Sequence, residues 1–156
     1  MGSIKMAAGK ETDKALARAA RICRERGGKF TSQRQFVYRL ILDADRPSGA
    51  YELLEAMRRE IPGVAPPTVY RALEFLLEQG LIHKLESLHA YVVCREPGHD
   101  HDGQFLICGR CGQAQELDDH SISGSLQAVM ASQGFRGEHQ MIEVMGRCSH
   151  CEAKGP

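Results

Sequence analysis

Apolar residues recur at helical spacing four times in the first eighty positions and then give way to alternation. Leu16, Ala19, Ile22 and Cys23 share one face of a helix over residues 11–26, which Gly27-Gly28 ends. Thr31-Ser32-Gln33-Arg34-Gln35 offers an N-cap, with the Ser-x-x-Gln spacing of a capping box, for a second helix carrying Phe36, Val37, Leu40 and Ile41 to about residue 44. Ser48 can cap a third, with Tyr51, Leu53, Leu54 and Met57 inward, closed by Pro62-Gly63. Pro66-Pro67-Thr68 presets φ for a fourth, whose stripe is Val69, Leu73, Leu76 and Leu77 up to Gly80. Residues 81–86 and 89–94 then alternate as two short strands around Ser87-Leu88, a hairpin. The first ten residues, Met1 to Lys10, read as a disordered start.

Three of these helices with the hairpin spell a winged helix. In a helix-turn-helix the second helix enters the major groove with its N-terminal residues leading, and here these are Thr68, Tyr70 and Arg71. Arg71 can fork onto a guanine edge, and Tyr70 can meet thymine methyls or a phosphate. The competing reading is a plain helical bundle with a solvated arginine.

Residues 95–103 are turn-rich and carry His99, Asp100 and His101, a hinge with metal-capable side chains. Beyond it, 104–108 and 112–117 read as strands, Asp118 or Asp119 caps a helix with Ile122, Leu126, Val129 and Met130 inward, and 139–146 is a third strand. A three-stranded sheet with one helix buries little apolar surface, so its free face or edge should pair with another copy. The expected fold class is α+β: a winged-helix DNA-binding domain over 1–94, the hinge over 95–103, and a small α/β dimerisation and zinc-binding domain over 104–156.

Four of the six cysteines form two Cys-x-x-Cys knuckles, Cys108/Cys111 and Cys148/Cys151, separated by 36 residues. Four thiolates satisfy tetrahedral Zn²⁺ and leave no open position, the arrangement of a structural site. Cys108-Gly109-Arg110-Cys111 also resembles a redox dithiol, but such dithiols usually lead into a helix and here a strand follows. Cys23 falls on an apolar helix face and reads as a small buried hydrophobe. With no signal peptide, no long apolar run and few cysteines, the sequence points to a reducing, cytoplasmic setting without a membrane partner. Net charge is zero, yet residues 1–94 hold 15 Lys/Arg against 11 Asp/Glu while 95–156 hold 5 against 9. A basic module for phosphate and an acidic one for cations fit that split.

The pieces in this order resemble the ferric uptake regulator family, on Thr31-Ser32-Gln33-Arg34, the run from Pro67 through Thr68-Val69-Tyr70-Arg71-Ala72 to Leu73, His99-Asp100-His101 and the two knuckles. Ala65 to Gly80, followed by His83-Lys84 and Tyr91-Val92-Val93-Cys94, points to its zinc-sensing branch. The resemblance implies a homodimeric, metal-activated repressor of double-stranded operator DNA, with no small-molecule substrate and at least two Zn²⁺ per subunit. It assigns structural zinc to Cys108, Cys111, Cys148 and Cys151, and sensing zinc to His83, Cys94, His101 and Glu116. One ion held by that second set would bridge the two domains. Two neutral imidazoles, a thiolate and a carboxylate balance Zn²⁺ to zero, whereas the four-thiolate site keeps −2. Gln33, Arg34, Tyr51 and Lys84 join Thr68, Tyr70 and Arg71 as candidate DNA contacts. His99 and His139 are candidates for a third metal site, where Ser123 stands in the position of an expected carboxylate. The alternatives are a regulator of this fold sensing iron, manganese or peroxide, and a zinc enzyme. Cys94, a soft thiolate, opposes the first, and the absence of His-Glu-x-x-His and of a deaminase His-x-Glu pattern opposes the second.

Overall fold

A computed structural model describes residues 3–99 and 102–155, with side chains from residue 9 onward. The chain divides into two compact units, Met1–His99 and Asp100–Pro156. Among the described residues no helix is long and apolar enough to cross a membrane.

The first unit runs α1 (Ser3–Glu25), α2 (Ser32–Leu42), β1 (Ser48–Gly49), α3 (Ala50–Glu60), α4 (Pro66–Glu78), β2 (Ile82–Leu85) and β3 (Ala90–Val93). Its core is the meeting of the predicted stripes: Ala19, Ile22 and Cys23 of α1, Val37 and Ile41 of α2, Leu53, Leu54 and Met57 of α3, and Val69, Leu73 and Leu76 of α4, joined by Tyr38, which lay outside the predicted stripe of α2. The hairpin closes that core from the side with Ile82 and Tyr91. Strands β2 and β3 pair antiparallel, His83 opposite Val92, and β1 adds a third strand in the order β1-β3-β2. Burial pushes the Cys23 thiol up, as expected of a core residue.

Four details depart from the sequence reading. The first helix begins at Ser3, not near residue 11; Ile4 to Ala8 are good helix formers, and propensity extends the helix past its apolar stripe. Thr31 caps α2 without a side-chain bond, and the Gln35 amide donates to the Phe30 carbonyl at 2.8 Å instead of closing a capping box. Ser48 is drawn into β1 opposite Tyr91, so Gly49 becomes the N-cap of α3 and its N–H donates to the Glu52 carboxylate at 3.0 Å. Tyr51 points outward, 71% exposed, because it lies off the Leu53/Leu54/Met57 face.

The second unit runs β4 (Gly103–Cys108), β5 (Ala114–Glu116), α5 (His120–Ser132), β6 (Met141–Gly146) and α6 (Ser149–Ala153). Its sheet order is β5-β4-β6, with β5 antiparallel and β6 parallel to β4. A parallel pair needs a crossover, and α5 supplies it. Phe105 and Ile107 point to the buried side of β4 while Leu106 points away. Gln104 is buried beside them, its amide donating to the Asp119 carbonyl at 3.0 Å and to Ser123 Oγ at 2.8 Å, so the central strand holds the start of α5. Asp119 is the N-cap and accepts from the Ser121 N–H at 2.8 Å.

The expectation that Ile122, Leu126, Val129 and Met130 point into a core is overturned, since α5 has no buried residue. A unit this small has too little interior to cover both faces of its sheet and a helix as well.

Leu76 is fully buried at the centre of α4. Leu76→Ala is expected to destabilise the first unit by about 2–5 kcal/mol, read as an earlier thermal unfolding transition, with the metal content of the cysteine knuckles unchanged.

Candidate metal centres and nucleic-acid interface

The two knuckles meet because β4 and β6 run parallel and end together. Their register places Cys108 opposite Gly146, and the Gly109 N–H donates to the Gly146 carbonyl at 2.9 Å. Past those ends the chain turns back twice. Gly112 closes the first turn, at φ +74, by donating to the Cys108 carbonyl at 2.9 Å, and Cys148 becomes the N-cap of α6, on which Cys151 sits. All four sulfurs lie within 4.8 Å of one another. Cys111 Sγ and Cys148 Sγ are 3.8 Å apart, and ligands at about 2.3 Å from a tetrahedral Zn²⁺ have edges of roughly 3.8 Å. The donor set fits that ion.

The sulfurs are electrostatically unequal. Backbone N–H groups of Cys148, Cys111 and Arg110 surround Cys108 and hold its thiol down at about 5, whereas burial, followed by the neighbouring cysteines, pushes Cys151 up to about 12. Hydrogen bonds from main-chain N–H groups are the usual support of metal thiolates. Arg110, inside the first knuckle, donates to the Cys151 carbonyl at 3.1 Å and to the Gly155 carbonyl, fastening α6 to β4's end. Sequence reasoning missed that clasp; its only trace is an arginine standing between two cysteine ligands.

In the first unit, His83 lies on β2 opposite Val92, and Cys94, two residues beyond Val92, comes directly after β3. Residues two apart on a strand share a face, so imidazole and thiol come to the same side of the hairpin, their ligand atoms within 4.8 Å. Cys94 is buried, and its N–H donates to the Leu81 carbonyl at 3.0 Å. In the second unit Glu116 is the last residue of β5, paired with Phe105, and is buried despite its charge. His101 lies outside the described residues.

For the third set, neither His99 nor His139 belongs to a group of three or more His, Cys, Asp or Glu ligand atoms among the described residues. Ser123, where a carboxylate would be needed, is engaged by the Gln104 amide.

The N-terminal end of α4 carries Thr68, Tyr70 and Arg71, with Tyr70 and Arg71 exposed while Val69, Ala72 and Leu73 face the core. Gln33 and Tyr51 are exposed as well. Lys84 on the wing forms an ion pair with Glu86 at 2.9 Å. Arg34, a candidate DNA contact, has its guanidinium 3.7 Å from the centre of the Phe75 ring and donates to the Lys29 carbonyl at 2.5 Å. Those contacts join α2's start to α4.

Residues 25–145 match the model of the ferric uptake regulator family. The zinc uptake regulation protein of Escherichia coli (strain K12) is 41% identical over 143 residues, spanning 90% of this chain and 82% of that protein. Among solved structures, a zinc uptake regulator complexed with zinc and DNA superposes with a TM-score of 0.86 at 40% identity, over 93% of this chain and 98% of its own. The crystal structure of holo XcZur gives 0.81 at 46% identity, over 88% and 96%.

Cys151 keeps its proton through the neutral range until a metal displaces it, whereas Cys108 is already a thiolate there. Metal capture at the knuckles therefore releases at least one proton and strengthens as pH rises. Competition against a zinc chelator at pH 6, 7 and 8 should show affinity climbing about tenfold per pH unit for each proton displaced.

Proposed function

The chain belongs to the ferric uptake regulator family, and from that premise we propose that it is a zinc-responsive repressor that binds operator DNA as a homodimer and shuts off zinc-uptake genes when zinc is plentiful. It works in the cytoplasm and is not an enzyme. Each subunit holds at least two zinc ions. Cys108, Cys111, Cys148 and Cys151 keep one permanently as part of the fold, and four sulfurs leave that ion no position for a water or substrate. The second is the signal, taken up by His83, Cys94, His101 and Glu116.

The observation that most supports zinc as the signal is the pairing of His83 with the buried thiol of Cys94. A soft sulfur donor beside an imidazole selects zinc over the harder Fe²⁺ and Mn²⁺, which disfavours the iron, manganese and peroxide alternatives within the family. Relatives described as a zinc uptake regulation protein and as a zinc uptake regulator complexed with zinc and DNA agree with that choice.

Regulation follows from population. Capture of zinc favours one arrangement of the winged helices in the dimer, and to carry the protein from mostly unbound to mostly DNA-competent the ion must prefer that arrangement by about 5.5 kcal/mol. Dimerisation covers the apolar surface the second unit leaves open: Leu106 and Val144 face each other across β4 and β6, and Ile122 and Val129 lie on α5. On the DNA, α4 leads with Thr68, Tyr70 and Arg71, the exposed Gln33 and Tyr51 flank it, and Lys84 reaches phosphate from the wing. Arg34, which also holds α2 against α4 through the Phe75 ring, joins them at the start of α2.

Cys94→Ser should leave the protein folded, dimeric and loaded at the four-cysteine site, yet unable to bind operator at free zinc levels that saturate the parent, because a hydroxyl is a far poorer zinc ligand than a thiolate. Zinc counting, sedimentation and DNA binding on one preparation test this; normal zinc-dependent DNA binding would contradict it. Arg71→Ala should weaken operator binding by about 1–3 kcal/mol and relax sequence preference. Titration of matched and scrambled duplexes reads that difference, and parental affinity for the matched duplex would remove Arg71 from the recognition surface.

A further inference from the structure

The chain leaves the wing sheet at β3, ending at Val93, and enters β4 at Gly103. None of residues 95–99 lies in a strand or helix, yet this stretch follows directly on Cys94 and carries His99. One face of α1 holds its middle. The Arg18 guanidinium donates to the Pro97 carbonyl at 3.1 Å and pairs with Glu96 at 3.5 Å. One helical turn on, Ile22 lies under Gly98: a Cβ built there would stand 3.3 Å from Ile22 Cδ1 and 3.5 Å from Cγ1. Arg18 and Ile22 are four residues apart and so share a face of the helix.

The details are those of a seat, not of a chance surface contact. Pro97 is buried and its ring fixes φ, which removes one of the two backbone freedoms at the residue whose carbonyl accepts the bond. The residue before a proline is confined to extended backbone, which limits Glu96 in turn. Gly98 sits at φ +98, open to glycine and costly for other residues, and it also makes the close approach to Ile22. The exposed Arg18–Glu96 ion pair alone would contribute little. The charge-assisted bond to the buried Pro97 carbonyl and the contact of Gly98 with Ile22 give the segment its path.

We propose that Arg18, with Ile22, is a positioning residue for the sensing zinc: it seats residues 96–98 on α1 and thereby fixes the course of the ligand-bearing stretch that starts at Cys94. This rests on the reading of Cys94 as a sensing ligand. A loose segment must be ordered when the ion binds, and that ordering is subtracted from affinity; a segment already seated has less to lose. The coupling is reciprocal, so zinc at Cys94 also steadies the contact of the segment with α1.

The test uses the full-length protein with its four-cysteine site loaded, and zinc alone as the probe. Affinity for the second zinc is measured by chelator competition in the parent, Arg18→Leu, Arg18→Lys and Gly98→Ala. Arg18→Leu keeps the apolar stem and removes the donors; it should weaken the second zinc about tenfold, in the range of substitutions that disturb the support of metal ligands. The first zinc should be unaffected. Arg18→Lys, which can still reach the carbonyl and the carboxylate, should recover most of the loss, a pattern that general destabilisation would not produce. Second-zinc affinity within twofold of the parent in Arg18→Leu overturns the proposal. If Arg18→Leu melts the first unit, Gly98→Ala carries the test: weakening supports the seat and parental affinity overturns it. Cys94→Ser in parallel separates the two claims, because a second zinc bound normally without that thiol defeats the sensing assignment whatever Arg18 does.

Discussion

Two parallel strands that end side by side make the second unit possible. Because β4 and β6 stop in register at Cys108 and Gly146, the turns after them bring four sulfurs into one small volume, and nothing in the apolar packing of this unit could substitute for them. Its buried apolar residues are few, and its one long helix buries none. A divalent ion with four thiolates couples folding to metal capture, and at this size that coupling decides whether the layer closes. The main-chain N–H groups aimed at Cys108 and the Arg110 clasp on the carbonyls of Cys151 and Gly155 are built around the same point. They stabilise negative charge on sulfur and hold the last turn of chain in place.

The first unit solves the opposite problem. It has a full core of helix stripes closed by a hairpin, and so can present polar side chains without needing them for stability. Thr68, Tyr70 and Arg71 are turned out by the burial of Val69, Ala72 and Leu73 on the other side of α4. Cys94 belongs to this unit but not to its hydrophobic economy: it is a buried thiol at the exit of the wing, beside an imidazole. That contrast, sulfur used for closure in one unit and for sensing in the other, is the core of the proposed mechanism.

Periodicity made much of this legible. Helix stripes located α1 to α4, alternation located the hairpin, and the paired Cys-x-x-Cys spacing located the four-sulfur cluster. What escaped depended on partners that pattern cannot name. Ser48 was free to cap or to pair, and pairing with Tyr91 won, which passed the cap to Gly49. Arg34 also packs on the Phe75 ring, a contact between α2 and α4 that no spacing announces. The stripe of α5 is real in sequence, yet a stripe tells only that a face is apolar, not that the same chain covers it. Arg18 and Arg110 bind main-chain carbonyls far away in sequence, and such bonds leave no residue pattern at all.

Whether zinc switches this protein onto DNA is decided by fluorescence anisotropy on a duplex the protein has itself selected from a random pool, at buffered free zinc, with iron and manganese in parallel. Binding should rise steeply over a narrow range of free zinc, with the four-cysteine site filled throughout, and show no comparable rise with iron or manganese. Tight binding with only the four-cysteine zinc present, or an equal response to iron or manganese, would contradict that switch.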